Sequence, residues 1–236
     1  MTLARFLLDH LVTFIFEALP MNMLALNTPD QDYWTNFYSD SKFSKEFHIP
    51  SQFAAFCLSE MRASEIERVV EIGCGNGRDT LLFLQHGLSV IATDKSDAAV
   101  KSVQEKFGSH NNLRTLSFDV ASLDSIARQD HEQPHAIYAR FVLHALTNEQ
   151  IKRFFNFCSG STRKGDKVFV EYRTSHDKGR QKEFAGHFRN FLDPSQIEDL
   201  SQKYKFALCY QTIGTGLAKF RDDDAHVARQ IFIKES

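Results

Sequence analysis

The sequence has few cysteines and no paired cysteine motif. Cys57, Cys74, Cys158 and Cys209 lie far apart, so the chain has neither a zinc ribbon nor a thioredoxin-type C-x-x-C site. Three of them, all except Cys74, lie among apolar neighbours, which is typical of buried free thiols. Because free thiols suit a reducing compartment, we expect a cytoplasmic protein.

An excess of charge of one sign is also missing. The chain has 28 Lys and Arg against 30 Asp and Glu, which gives a net charge of -2. A general nucleic-acid binder needs clustered cations to neutralise phosphates, and this composition does not indicate one. No metal-ligand cluster is evident either, since Pro134 interrupts any helix shared by His131 and His135. We therefore expect no metal site.

Long uninterrupted apolar runs are absent. Residues 3–19 come nearest, but charged side chains interrupt them, no small-residue cleavage site follows, and the stretch is too short for a membrane span. From Arg5 to Glu17, polar residues recur every four positions and form a polar stripe on a mostly apolar helix. We expect this helix to pack on its own domain or on a second subunit of a homodimer. A native start at Met21 or Met23 is the alternative.

Apolar runs and helical stretches alternate through most of the chain. The 236 residues fit one large α/β domain. The pattern predicts strands at 68–72, 88–93, 113–118, 135–139, 166–172, 206–213 and 227–233. It predicts helices at 52–62, from the glycine turn to about residue 85, and at 97–107, 122–129, 148–158 and 194–203. This alternation predicts a Rossmann-like, doubly wound α/β fold with seven mostly parallel strands and a C-terminal antiparallel hairpin. We assign residues 51–236 to this domain and residues 1–50 to a helical extension with an aromatic segment.

A glycine-rich turn follows the first predicted strand. Residues 71–77, E-I-G-C-G-N-G, have G-x-G-x-G spacing, one residue shorter than a dinucleotide-binding turn, and no P-loop Gly-Lys-Ser/Thr follows. Glycines here let the backbone approach a ligand at a helix N-terminus. Asp94 and Asp119 end the next two strands, where an acid can accept hydrogen bonds from ribose hydroxyls or lie near an adenine edge. Together with Glu71, these acids at consecutive strand ends indicate a nucleotide-like ligand.

This set of residues resembles a known enzyme family. The E-x-G-x-G-x-G turn, Asp94 and the Phe118-Asp119-Val120 segment are similar to those of class I S-adenosylmethionine-dependent methyltransferases. The resemblance covers residues 50–234. It implies a methyltransferase that uses S-adenosylmethionine and transfers the methyl group by direct displacement.

The resemblance also implies a set of cofactor-binding residues. The three turn glycines would line the methionine part, Asp94 would hold the ribose, Asp119 with Val120 would lie at the adenine, and Glu71 would orient the loop or the amino group. An aromatic segment that includes Tyr33 would fold over the cofactor as a lid, or simply pack. The full implied set is Tyr33, Trp34, Glu71, Gly73, Cys74, Gly75, Asn76, Gly77, Arg78, Asp94, Lys95, Asp119, Val120 and Arg140.

The segment after the fourth predicted strand carries the candidate catalytic residues. Residues 140–146 read R-F-V-L-H-A-L and should face the ligand crevice beyond the strand carboxyl ends. We predict that His144 is a general base or a donor that positions the acceptor, with a packing role as the alternative. Arg140 and Glu171 are the other catalytic candidates.

The acceptor is expected to be small. The (N/D/S)-P-P-(Y/F) motif of DNA amino-methylating enzymes is missing after the fourth strand, so we expect no DNA partner. Similar R-F-x-L-H-x-L stretches occur in small-molecule members of the family, and we predict O-methylation of a small-molecule or sugar-like acceptor. Arg173 and Arg189 would suit an anionic acceptor. An RNA methyltransferase and a non-catalytic partner subunit with this fold are the alternatives.

Overall fold

A computed structural model of the protein describes residues 33–39, 49–119, 134–184 and 186–236. The predicted helices at 3–19 and 122–129 lie outside the described residues. The helices are α1 (Tyr33–Ser39), α2 (Gln52–Ala63), α3 (Arg78–Gln85), α4 (Asp97–Phe107), α5 (Asn148–Ser161) and α6 (Pro194–Lys203). Within the described ranges, no helix has both the length and the apolar character needed to cross a membrane.

The strands form one sheet of seven. They are β1 (Arg68–Ile72), β2 (Ser89–Asp94), β3 (Leu113–Ser117), β4 (His135–Arg140), β5 (Lys167–Arg173), β6 (Phe206–Gly214) and β7 (Val227–Lys234). Their order is β3-β2-β1-β4-β5-β7-β6, with β1 to β5 parallel and β7 antiparallel to both neighbours. The predicted doubly wound sheet with a C-terminal hairpin is confirmed. The order reverses between β1 and β4, which is where open α/β sheets bind ligands.

The element bounds follow the sequence pattern closely. Every strand ends within one residue of its predicted limit. Helix α5 differs most, because it continues three residues beyond Cys158 to Ser161. Its first turn is fixed by a capping box in which the Thr147 and Gln150 side chains each accept a backbone N–H of the other residue.

Separate apolar clusters cover the two faces of the sheet. The alternation of β4 shows this, since Ile137 and Ala139 pack on the side of α5 and α6, whereas Ala136 and Tyr138 pack on the side of α2 and α3. All four side chains are buried, as expected of a central parallel strand covered on both faces. This packing fixes β4 in the middle of the sheet, so its carboxyl end opens into the site.

Candidate functional site

A cavity of about 300 Å³ lies beyond the carboxyl ends of β1, β2 and β4. The glycine turn, the ends of these strands and helix α1 contribute to its wall. Most of the residues expected at the site from the sequence meet here: Tyr33, Trp34, Glu71, Gly73, Cys74, Gly75, Asn76, Arg78, Asp94, Lys95, Asp119, Arg140 and His144.

Three expected site residues are not among the residues that line the cavity. Val120 lies outside the described residues. Gly77 is not part of the cavity wall, and a Cβ at this position would lie 2.8 Å from the Phe107 ring and 2.9 Å from Val103 of helix α4. The left-handed φ of 81° and the close packing on α4 both favour glycine at position 77. Glu171 does not line the cavity either, and its side chain is fully buried.

The glycine turn is held against strand β2. The backbone N–H groups of Gly73 and Cys74 both donate to the Thr93 carbonyl, at 2.8 and 2.9 Å. Gly75 has a φ of 54°, and a Cβ there would lie 2.5 Å from the hydroxyl oxygen of Tyr38. Only glycine therefore fits at position 75 without moving helix α1 or straining the backbone.

Asp94 is a buried carboxylate that is already oriented. Its two oxygens accept the backbone N–H groups of Gly75 at 3.0 Å and Ser96 at 2.9 Å. Burial raises the pKa of Asp94, while these backbone hydrogen bonds oppose the rise. A carboxylate offers about four lone-pair sites, so Asp94 keeps acceptor capacity towards the cavity.

A second buried acid, which was not among the expected site residues, lies beside the turn. Asp79, in the first turn of α3, accepts hydrogen bonds from the Ser51 N–H at 2.7 Å and the Tyr138 hydroxyl at 2.8 Å. Its neighbour Glu71 accepts from the Thr80 hydroxyl at 2.5 Å. Burial and Asp79 raise the pKa of Glu71 well above its ordinary value. An acid directly after a glycine turn was the available signal, but its partners are 28 and 59 residues away in sequence.

Two arginines share one buried glutamate at the end of β5. Nε of Arg140 and Nε of Arg229 donate to opposite oxygens of Glu171, at 2.8 and 2.7 Å. Glu171 is 0% exposed. Burial lowers the pKa of Arg140, but Glu171 and nearby acids outweigh this and raise it. The structure thus gives Glu171 the role of positioning Arg140 at the cavity wall, in place of the catalytic role expected from the sequence.

His144 lies in a 3₁₀ turn after β4 and is 3% exposed. Its Nδ1 accepts the backbone N–H of Arg173 at 3.4 Å. Burial, followed by the nearby Arg173 guanidinium, lowers the pKa of His144 well below its ordinary 6.5. The ring is therefore neutral, and the contact at Nδ1 assigns its proton to Nε2.

Helix α1 places an aromatic surface on the cavity. The rings of Tyr33 and Trp34 lie 4.7 and 5.0 Å from the ring of His187, between centroids. Phe37 packs edge-on against Phe184 at 5.2 Å. The aromatic segment expected to act as a lid is thus part of the wall.

Arg173 does not face the cavity as a free cation. Its guanidinium donates to Asp177 at 2.7 Å and to Asp223 at 2.6 and 3.2 Å. Lys182 also lies 3.0 Å from Asp177, so the two carboxylates and the two cations balance one another within the protein. The expectation that Arg173 binds an anionic acceptor is therefore replaced by a role in holding the loops after β5 together.

Comparison with known proteins gives a consistent result. Residues 69–165 match the family model described as a methyltransferase domain. Glycine N-methyltransferase from Mus musculus is 24% identical over 118 residues, which cover 46% of this chain and 37% of that protein. The enzyme of the same name from Rattus norvegicus is 23% identical with the same coverage. The matched stretch thus spans little more than a third of the length of these curated relatives.

Solved structures show the same fold. Magnesium protoporphyrin IX methyltransferase from Synechocystis PCC 6803 with bound SAM is 14% identical, with a TM-score of 0.58 over 78% of this chain and 79% of that chain. The glycopeptide N-methyltransferase MtfA complexed with SAM is 14% identical, with a TM-score of 0.58 over 80% and 96%. A chain from the complex of the Haloferax volcanii Trm112 methyltransferase activator and a methyltransferase is 11% identical, with a TM-score of 0.65 over 87% and 97%.

Proposed function

We propose that this chain is a class I S-adenosylmethionine-dependent methyltransferase that binds S-adenosylmethionine and methylates a small-molecule or sugar-like acceptor. One observation carries the proposal: the glycine turn is hydrogen-bonded to Asp94, and both line a cavity. This cavity lies where the strand order of the sheet reverses. Titration calorimetry with S-adenosylmethionine tests it. Absence of binding would instead favour a non-catalytic subunit with this fold.

The residues on the wall fit the parts of the cofactor. Asp94 has acceptor capacity for ribose hydroxyls, and Asp119 lies at the end of the neighbouring strand, on the side proposed for the adenine. Arg78 and Arg140 lie on the wall near the turn and bring positive charge suited to the carboxylate of the methionine part. Glu71 lies beside them and would orient the turn or the amino group.

The protein's own contribution is orientation and the exclusion of water. When bound, S-adenosylmethionine supplies a methyl group activated on a sulfonium centre. Tyr33, Trp34 and Tyr38 line the cavity, and aromatic faces attract a cation while keeping solvent out. We include residues 33–39 in the N-terminal extension and assign this extension to covering the site.

We propose that oxygen is the methylated atom and that His144 orients it. Nε2 of His144 carries the ring proton and is a donor, so His144 does not serve as the base. An acceptor oxygen has two lone pairs, so it can accept this hydrogen bond and still direct one lone pair at the methyl carbon. A neutral amine has a single lone pair and cannot do both.

The role of His144 predicts a particular pH dependence. Its pKa is well below 6.5, so the active neutral form persists as the pH falls towards 6. We expect turnover to show no loss attributable to a histidine between about pH 6 and 8. An ordinary histidine base would lose activity as the pH drops below about 6.5.

Substitution of His144 separates orientation from packing. The His144→Ala variant should keep cofactor affinity and lower turnover per folded molecule by about 10- to 100-fold, whereas His144→Gln, which retains a donor, should lose less. Melting temperature and turnover are measured on the same purified samples. Normal turnover in His144→Ala with a lowered melting temperature would leave His144 a purely structural role.

Asp94 is the most direct test of the cofactor site. The Asp94→Ala variant should weaken S-adenosylmethionine binding by about 1–3 kcal/mol, because ribose hydroxyls lose a charged acceptor. Asp97→Ala serves as the control, since Asp97 is exposed in the next helix and does not line the cavity. Equal affinities of the two variants in titration calorimetry would contradict the assignment.

Two further proposals concern the cellular location and the oligomeric state of the protein. We propose a cytoplasmic location, supported by four free cysteines, Cys57, Cys74, Cys158 and Cys209. We also propose a homodimer formed through the helix predicted at residues 3–19, which lie outside the described residues. Light scattering on the full chain and on a variant lacking this segment tests the dimer.

A further inference from the structure

A half-buried arginine and a half-buried histidine on the cavity wall each have a buried polar atom without a partner. Nε of Arg189 and Nδ1 of His187 are both buried atoms, and neither has a hydrogen-bond partner among the residues that the structure describes. Nη2 of Arg189 donates a hydrogen bond to the Phe184 carbonyl. A buried donor without an acceptor is costly, so this arrangement points to an acceptor that comes from outside the chain.

The charge of Arg189 is not balanced by a carboxylate in the described part of the chain. The two acids whose charge acts on Arg189, Asp223 and Asp177, both form ion pairs with Arg173. Burial and the neighbouring Arg173 guanidinium lower the pKa of Arg189. An anion placed here would oppose this lowering of the pKa of Arg189, because it would supply a counter-charge next to the guanidinium.

The surroundings of Arg189 are aromatic. His187, two residues earlier, lies against the rings of Tyr33 and Trp34, and Phe184 and Phe188 also line the cavity. Burial and Arg189 lower the pKa of His187 to about 3, so its ring is neutral and offers one N–H and one lone pair. A ligand that fits this region has an apolar, flat body and one anionic group.

We propose that the methyl acceptor is a small organic anion, and that Arg189, with His187 beside it, binds its carboxylate or phosphate. This inference rests on the proposed function and adds the substrate class. The planar guanidinium offers Nε and a neighbouring Nη for a two-point contact with either group. The apolar body of the acceptor lies against the aromatic side chains of α1.

Arg189 is distinct from the arginines assigned to the cofactor. Arg78 and Arg140 flank the glycine turn, and Arg140 is fixed there by Glu171. Arg189 instead lies in the segment packed against Tyr33. Removal of the Arg189 charge should therefore affect the acceptor and leave the cofactor bound.

The experiment compares Arg189→Gln with Arg153→Gln, an exposed arginine of helix α5 that does not line the cavity. Benzoate and phenyl phosphate are the anionic probes, and benzamide is the neutral one. Each is titrated into protein saturated with S-adenosylhomocysteine at constant ionic strength. We expect at least one of the two anions to bind the wild type and Arg153→Gln with similar affinity. The same anion should bind Arg189→Gln about 10- to 100-fold more weakly. Benzamide should show no such difference between the variants. The stronger of the two anions identifies the carboxylate or phosphate class.

Three results overturn the proposal. Binding of neither anion to the wild type, or equal anion binding by Arg189→Gln, removes the acceptor role of Arg189. A parallel loss of S-adenosylhomocysteine affinity in Arg189→Gln assigns this residue to the cofactor instead. Failure of the proposed function is distinguishable, because the wild type itself would then fail to bind S-adenosylhomocysteine in the first titration.

Discussion

Replacement of Gly75 by valine is expected to abolish cofactor binding while the protein stays folded. Gly75 has a φ of 54°, and its missing side chain leaves room for the close approach of Tyr38 and of a ligand to the backbone. A branched side chain would fill that space and push the turn away from Asp94, which accepts the Gly75 N–H. We expect affinity for S-adenosylmethionine to fall by at least about 100-fold, or roughly 2.7 kcal/mol, in titration calorimetry.

A control variant separates backbone strain from loss of the site. Gly165 also has a positive φ, 92°, but a Cβ there would meet no atom within 4 Å. Gly165→Val therefore carries a similar conformational cost, about 1–2 kcal/mol, far from the cavity. It should lower the melting temperature and leave cofactor affinity unchanged. Normal binding by Gly75→Val would place the cofactor away from the turn.

Replacement of Glu171 by glutamine is expected to destabilise the fold strongly. The substitution keeps the side-chain shape but removes the only charge bound by both Arg140 and Arg229 in the described residues. Removing one partner of a buried ion pair leaves uncompensated charge in the interior, which typically costs about 3–5 kcal/mol. The free energy of unfolding, measured with urea, should fall by about this amount.

An exposed ion pair provides the comparison. Glu149 contacts Lys152 at 3.1 Å, with 65% and 54% of the two side chains exposed. Glu149→Gln should change the free energy of unfolding by no more than about 1 kcal/mol, since water screens such pairs. If Glu171→Gln kept wild-type stability but lost turnover, Glu171 would be a catalytic group after all.

The local elements and the cofactor half of the site could be predicted from the sequence. Short apolar runs between helical stretches placed the strands, because neighbouring residues decide them. The positions of Asp94 and Asp119 at strand ends followed from the parallel sheet, in which carboxyl ends meet at one edge. The glycine spacing marked the turn, although Gly77 turned out to pack on helix α4.

The acceptor half could not be predicted in the same way. Arg173 and Arg189 looked equivalent in the sequence, two arginines after the fifth strand. Folding brings Asp223, which is 50 residues further along the chain, onto Arg173 and leaves Arg189 without a carboxylate partner in the described part of the chain. No spacing rule encodes that pairing.

The sequence by itself determined the order of strands and helices, the glycine turn and the acids beside it, because each depends on backbone conformation and on residues close in the chain. Only the tertiary structure decided which charged groups have partners. Glu171 forms ion pairs with two arginines, and Asp79 accepts hydrogen bonds from Ser51 and Tyr138. The physical reason is that an ion pair or hydrogen bond in a low-dielectric interior depends on distance in space, and burial sets its strength. Distance along the chain carries little information about either.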